Sequence, residues 1–141
     1  MIGHLRGVPQ PLDSESLLVD VAGVGYEVSV SSNVMEACQG LTQVELWIHT
    51  HVREDQLHLF GFLSRVEKTL FLSLIKVSGI GPKMAIKILS ATTLDQLLEM
   101  IENGNVKGLC QLPKIGKKTA EQMILSLQGQ LVRDDSQLAM P

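Results

Sequence analysis

Residues 74–89 and 109–124 are two versions of one segment, and this repeat limits the possible folds more than any other feature. The first copy reads Leu-Ile-Lys-Val-Ser-Gly-Ile-Gly-Pro-Lys-Met-Ala-Ile-Lys-Ile-Leu and the second Leu-Cys-Gln-Leu-Pro-Lys-Ile-Gly-Lys-Lys-Thr-Ala-Glu-Gln-Met-Ile. Leu74/Leu109, Ile80/Ile115, Gly81/Gly116, Lys83/Lys118 and Ala85/Ala120 are identical at a constant spacing of 35 residues. Each copy is an apolar helix end, a glycine-containing turn, and a new helix that begins with lysine. That grammar predicts two helical hairpins in tandem.

The turn has a chemistry of its own. Glycine tolerates positive φ and lacks a Cβ, so an anion can approach the backbone closely at Gly79-Ile80-Gly81. The free N–H groups at the start of the following helix then point at that anion, assisted by the helix dipole. Lys83 adds charge, Ile80 plugs between the helices, and Ala85 keeps them close. Such contacts hold a phosphate backbone without reading bases. The spacing apolar–Gly–apolar–Gly, followed four residues later by Ala, resembles the helix-hairpin-helix motif. The second copy departs from it, because Lys114 stands where the first glycine belongs. Lysine is strained at positive φ, so this turn is expected to be altered or to offer weaker backbone contacts, with Lys114, Lys117 and Lys118 compensating by charge. The plain alternative is two hairpins used only for packing.

Other chemistries fit poorly. Gly116-Lys117-Lys118-Thr119 ends like a Walker A loop, but that motif requires Gly at 111 and Ser or Thr at 118, where the chain has Gln111 and Lys118. No strand is expected before Gly79, which argues against a dinucleotide-binding fingerprint. ATP hydrolysis is therefore not expected, and no catalytic residue or cofactor is assigned. Asp95, Glu99 and Glu102 share one helix face and read as solvated surface. His51 faces His58 in the expected hairpin register, with His49 two residues along. Partly exposed strand histidines usually bind nothing, and no metal is expected. Cys38 and Cys110 are far apart, lie in no C-x-x-C, and read as reduced thiols of a cytoplasmic protein. The N-terminus lacks signal-peptide organisation, and no apolar run approaches the roughly 20 residues of a membrane helix.

The formal net charge is −3, which conceals an asymmetry. Residues 1–62 hold two basic residues, Arg6 and Arg53, against eight acidic ones, net −6. Residues 63–133 hold ten basic against five acidic, net +5, and Asp134 and Asp135 follow. Both glycine turns lie in the basic segment, and a polyanion responds to the local field.

The two segments also differ in period. Residues 1–62 read as strands at Ile2–Val8, Leu17–Val21, Val24–Val30, Val44–Arg53 and Gln56–Leu63, with a tight turn flanked by Gly23 and Gly25. Val44, Leu46, Ile48 and Val52 alternate with Glu45, Trp47, His49, His51 and Arg53, as in a half-buried strand. Five short strands fit a small closed barrel, either an OB-fold or an SH3-like one. Residues 64–128 switch to helical period. Ser64-x-x-Glu67 and Thr93-x-x-Gln96 are capping boxes, the first opening a helix that runs to about Val77. Pro82 suits a first helical turn. Asn103-Gly104-Asn105 caps a short helix to Leu112, and a last helix runs from Lys117 to about Gln128, stopped by Gly129. The organisation is α+β: residues 1–62 a barrel, 63–133 a tandem-hairpin domain, 134–141 the start of a polar linker or tail.

Several motifs in order resemble the RuvA family: Met-Ile-Gly-x-Leu-Arg-Gly at the start, Val-Asp-Val-Ala-Gly-Val-Gly-Tyr-Glu-Val at 19–28, Val-Arg-Glu-Asp at 52–55, Gly-Phe at 61–62, and the two hairpins. The resemblance covers about residues 1–131. It implies an OB-like N-terminal domain, a central domain with two helix-hairpin-helix motifs, and tetramers, single or paired face to face, that hold a four-way (Holliday) DNA junction open. In the family a RuvB motor ATPase then drives branch migration in recombination and repair, and a RuvC resolvase is a further partner. The resemblance assigns phosphate contact to Gly79, Ile80, Gly81, Lys83, Lys114, Gly116, Lys117 and Lys118, and an acidic pin at the junction centre to Glu54 and Asp55. Without it, Glu54-Asp55 reads as a solvated turn. The chain ends at Pro141, before the family's RuvB-docking domain, so it is expected to bind junctions without coupling to the motor. The runner-up is a fragment of a helix-hairpin-helix nuclease or glycosylase; a third reading is a protein-interaction module.

Overall fold

The computed structural model describes residues 1–130; the expected tail and the end of the tandem-hairpin segment, 131–141, lie outside the described residues. The chain divides into two compact units, Met1–Lys68 and Thr69 onward.

The first unit is a closed five-stranded barrel. Its strands are β1 (His4–Pro11), β2 (Ser16–Val21), β3 (Val24–Ser29), β4 (Val44–Val52) and β5 (Leu57–Phe62), in the order β1-β2-β3-β5-β4. β4 returns to pair antiparallel with β1 and closes the cylinder. β3 and β5 pair in parallel, and this crossover order is that of the OB-like barrel. Alternation explains the interior: Val44, Leu46, Ile48 and Thr50 of β4 are buried, while Glu45, Trp47, His49 and His51 face outward. Leu5, Leu17, Val19, Val28 and Leu59 complete the core. Gly61 is needed there, because a Cβ would lie 2.7 Å from a Val28 methyl. The β2–β3 connection is a two-residue turn with Ala22 and Gly23 at φ 51° and 94°, as the mirror-image turns of hairpins require.

One element is absent from the strand pattern. Helix α1 (Ser32–Cys38) stands between β3 and β4, where the strand pattern predicts only a connection. Ser31 caps it by accepting from the Val34 N–H, and Val34 and Cys38, one turn apart, join the barrel core. β1 also begins at His4 and continues to Pro11, later than the Ile2–Val8 expected.

Among the described residues five helices follow: α2 (Arg65–Ile75), α3 (Pro82–Ala91), α4 (Leu94–Glu102), α5 (Val106–Leu109) and α6 (Lys117–Leu127). Ser64 caps α2 through the Glu67 N–H. Thr93 and Gln96 form both halves of their capping box. Asn105 caps α5, which is one turn long and ends before Leu112. Gln128 and Gly129 bind back to Glu102, both at 2.8 Å, tying the end of α6 to α4. Leu74, Ala85, Ile88, Leu97, Ile101, Leu109, Ala120 and Met123 form a fully buried set. Cys38 and Cys110 are free thiols. No helix among the described residues is long and apolar enough to cross a membrane.

Candidate nucleic-acid interface

The sequence repeat is a structural repeat. Val77 N–H donates to Leu74 O, and Leu112 N–H to Leu109 O, both at 3.0 Å. Ile80 N–H donates to Val77 O at 3.0 Å, and Ile115 N–H to Leu112 O at 3.3 Å. Ala85 and Ala120 donate to Gly81 and Gly116, both at 2.9 Å. Each bond of the first turn thus recurs 35 residues later. The same side chains anchor both turns: Val77 and Leu112, Ile80 and Ile115, and Ala85 and Ala120 are all buried.

The backbone angles agree as well. Gly79 has φ 92° and its counterpart Lys114 has φ 61°. Gly81 and Gly116 have φ −94° and −89°, with ψ 176° and 175°. The expectation that Lys114 would alter the second turn is therefore corrected: lysine takes up the left-handed conformation and the hairpin keeps its shape. The local hydrogen bonds and the buried Leu112 and Ile115 outweigh a conformational preference of about 1–3 kcal/mol.

Both turns open onto helix N-termini, whose first amides lack intrahelical partners. In α3 the first position is Pro82, which has no N–H, leaving Lys83 and Met84 as donors. In α6 the corresponding residue is Lys117, so Lys117, Lys118 and Thr119 all offer amides. The second hairpin thus presents one more helix-start donor than the first.

Gly81 and Gly116 are informative for a further reason. Their φ values suit any residue, and a Cβ at either would meet nothing within 4 Å. Neither conformation nor internal packing calls for glycine. What glycine leaves there is open backbone, exposed on the surface beside Lys83 in one copy and beside Lys117 and Lys118 in the other.

The β4–β5 hairpin carries the other candidate residues. Its last pairs are His51↔His58 and Val52↔Leu57. Arg53 N–H donates to Gln56 O at 2.8 Å, closing a four-residue loop with Glu54 and Asp55 exposed at the tip. Behind the tip, Arg53 Nε donates to His51 Nε2 at 3.3 Å. His49 lies deeper, its ring 5.8 Å from that of His51; burial chiefly, with His51 and Lys68 adding to it, pulls its pKa down and favours the neutral ring. No group of three metal-ligating side chains occurs among the described residues. Of the carboxylates read as solvated surface, Asp95 and Glu99 are exposed, and Glu102 accepts the Gly129 N–H.

Residues 1–61 match the family model described as RuvA N terminal domain, and residues 71–128 match the SAM-like Helix-hairpin-helix tandem. Curated relatives named "Holliday junction branch migration complex subunit RuvA" include those of Bdellovibrio bacteriovorus, 58% identical over 94% of this chain and 68% of the relative, Laribacter hongkongensis, 45% identical over 93% and 65%, and Lactococcus lactis, 41% identical over 92% and 66%. The chain spans about two thirds of the length of these relatives. With a closed barrel at one end, a duplicated glycine hairpin at the other and matches along nearly all of its length, the chain belongs to the RuvA family.

Proposed function

We propose that this chain is a non-catalytic subunit that binds four-way DNA junctions and holds them open for branch migration. The observation that carries the reading is the pair of matched turns in which Gly81 and Gly116 serve no internal purpose but leave the backbone open to an anion. Each turn grips a phosphate through the first amides of α3 or α6, supported by Lys83 or by Lys117 and Lys118. The names of the relatives supply the substrate, a Holliday junction, and the setting, a branch migration complex.

The Glu54-Asp55 tip has the opposite sign. Gathered about the four-fold axis of a homotetramer, one or two of which engage a junction, eight carboxylates would repel phosphate at the crossover while the lysine-rich turns hold the arms. The RuvB motor and RuvC resolvase are the partners this role calls for, with RuvB engaged by sequence beyond the part of the relatives that this chain matches. The nuclease reading is not favoured, since Glu102 is engaged by the Gly129 backbone and its neighbours are exposed.

Gel-shift titration of a four-way junction and a linear duplex of equal length tests the proposal. Preference for the junction is expected; equal affinity for the two would remove junction recognition from the account.

A further inference from the structure

The two hairpins share one shape but differ in one chemical respect. The left-handed position is filled by Gly79 in the first and by Lys114 in the second. Glycine takes this conformation freely, whereas a side chain disfavours it. The turn's buried neighbours hold the backbone in this conformation, but the Lys114 side chain itself gains nothing from it inside the described chain. The Lys114 side chain is exposed and makes no hydrogen bond or ion pair among the described residues. Packing does not explain it either, because the turn is anchored by its neighbours Leu112 and Ile115.

Charge is what the substitution adds. Lys114, Lys117 and Lys118 cluster three ammonium groups within five residues at the turn, whereas the first copy spreads its three, Lys76, Lys83 and Lys87, over twelve. Glu121, one turn along α6 from Lys117 and Lys118, is the one carboxylate between 103 and 130, which leaves the turn net positive. Residues held in strained backbone conformations at a binding surface are commonly retained for what they contact.

We propose that Lys114 makes the second hairpin a charge-reinforced clamp. Its ammonium adds a DNA-phosphate contact that the first hairpin lacks, so the two clamps grip the same DNA with unequal sensitivity to salt. This rests on the phosphate-binding reading above and deepens it: the glycine hairpin holds mainly by backbone donors, the lysine hairpin by donors and counterion release together.

The test measures affinity for four-way junction DNA from low to moderate salt, using the wild type and the variants Lys114→Asn, Lys114→Arg and Lys118→Ala. Asparagine tolerates left-handed backbone without carrying charge, so thermal melts of Lys114→Asn should give a Tm at or above that of the wild type. Its affinity should fall on the order of 3- to 10-fold near 0.1 M salt, and its log–log salt slope should shrink by about 0.9, the value of one phosphate contact. Lys114→Arg should keep the wild-type slope. An unchanged slope in Lys114→Asn beside a reduced slope in Lys118→Ala overturns the role of Lys114 alone. Unchanged slopes in both variants overturn the phosphate reading of the hairpin, and this inference with it.

Discussion

Glu67 shows how one side chain can weaken a fold that otherwise satisfies its groups. It sits in the first turn of α2, where a carboxylate suits the helix dipole. Burial nevertheless pushes its pKa up, and a hydrogen bond from the Leu63 backbone only partly offsets this; Oε1 is buried without a hydrogen-bond partner. Because the folded state binds the proton more tightly than the unfolded chain, stability is greatest while Glu67 is protonated. It declines as pH rises from the ordinary glutamate value, about 4.3, through the folded one. Glu67→Gln is therefore expected to raise the urea midpoint at pH 7 and to have a smaller effect near pH 4; a lower midpoint at pH 7 would contradict the assignment. The sequence showed Glu67 only as half of a capping box. Its burial depends on contacts that no local pattern encodes. Lys114 teaches the converse: the sequence located the odd residue, but the conformation it adopts was decided by the buried residues on either side.

At the scale of elements, the glycine turns separate stability from function. Gly81→Ala or Gly116→Ala fits the existing φ, meets no atom, and replaces an N-cap glycine at a cost of less than about 1 kcal/mol. The same methyl group would stand where a phosphate is to approach. Each substitution should leave the urea midpoint near that of the wild type while weakening junction binding several-fold. Binding unaffected by both changes would mean that the turns serve packing alone. The turns were legible because duplication at a fixed spacing is a strong signal, and so were the strands that alternate. Helix α1 was not: seven residues give barely two turns of periodicity. Its only marks were Ser31 as a cap and the Val34–Cys38 spacing, which lay between two evident strands. The full length of β1 was hidden for a related reason, since Pro9 and Pro11 read as a break although they occupy its final positions.

For the molecule as a whole, a net charge of −3 describes neither part. The acidic barrel segment presents two of its eight carboxylates, Glu54 and Asp55, at the β4–β5 tip, and the basic helical segment presents exposed lysines at two helix N-termini. Fold class followed from the change of hydrophobic period near residue 63, and closure of the barrel from strand count. The number of backbone donors at each turn followed as well, because α3 begins at Pro82 and α6 at Lys117, where the sequence places them. The central claim is that two backbone turns, not one basic surface, hold the DNA. Amide NMR of this chain during titration with four-way junction DNA tests it most directly. The account predicts shifts and slowed hydrogen exchange at the free helix-start amides of both hairpins, Lys83 and Met84 in the first and Lys117, Lys118 and Thr119 in the second. Binding that leaves both groups of amides unperturbed would contradict it.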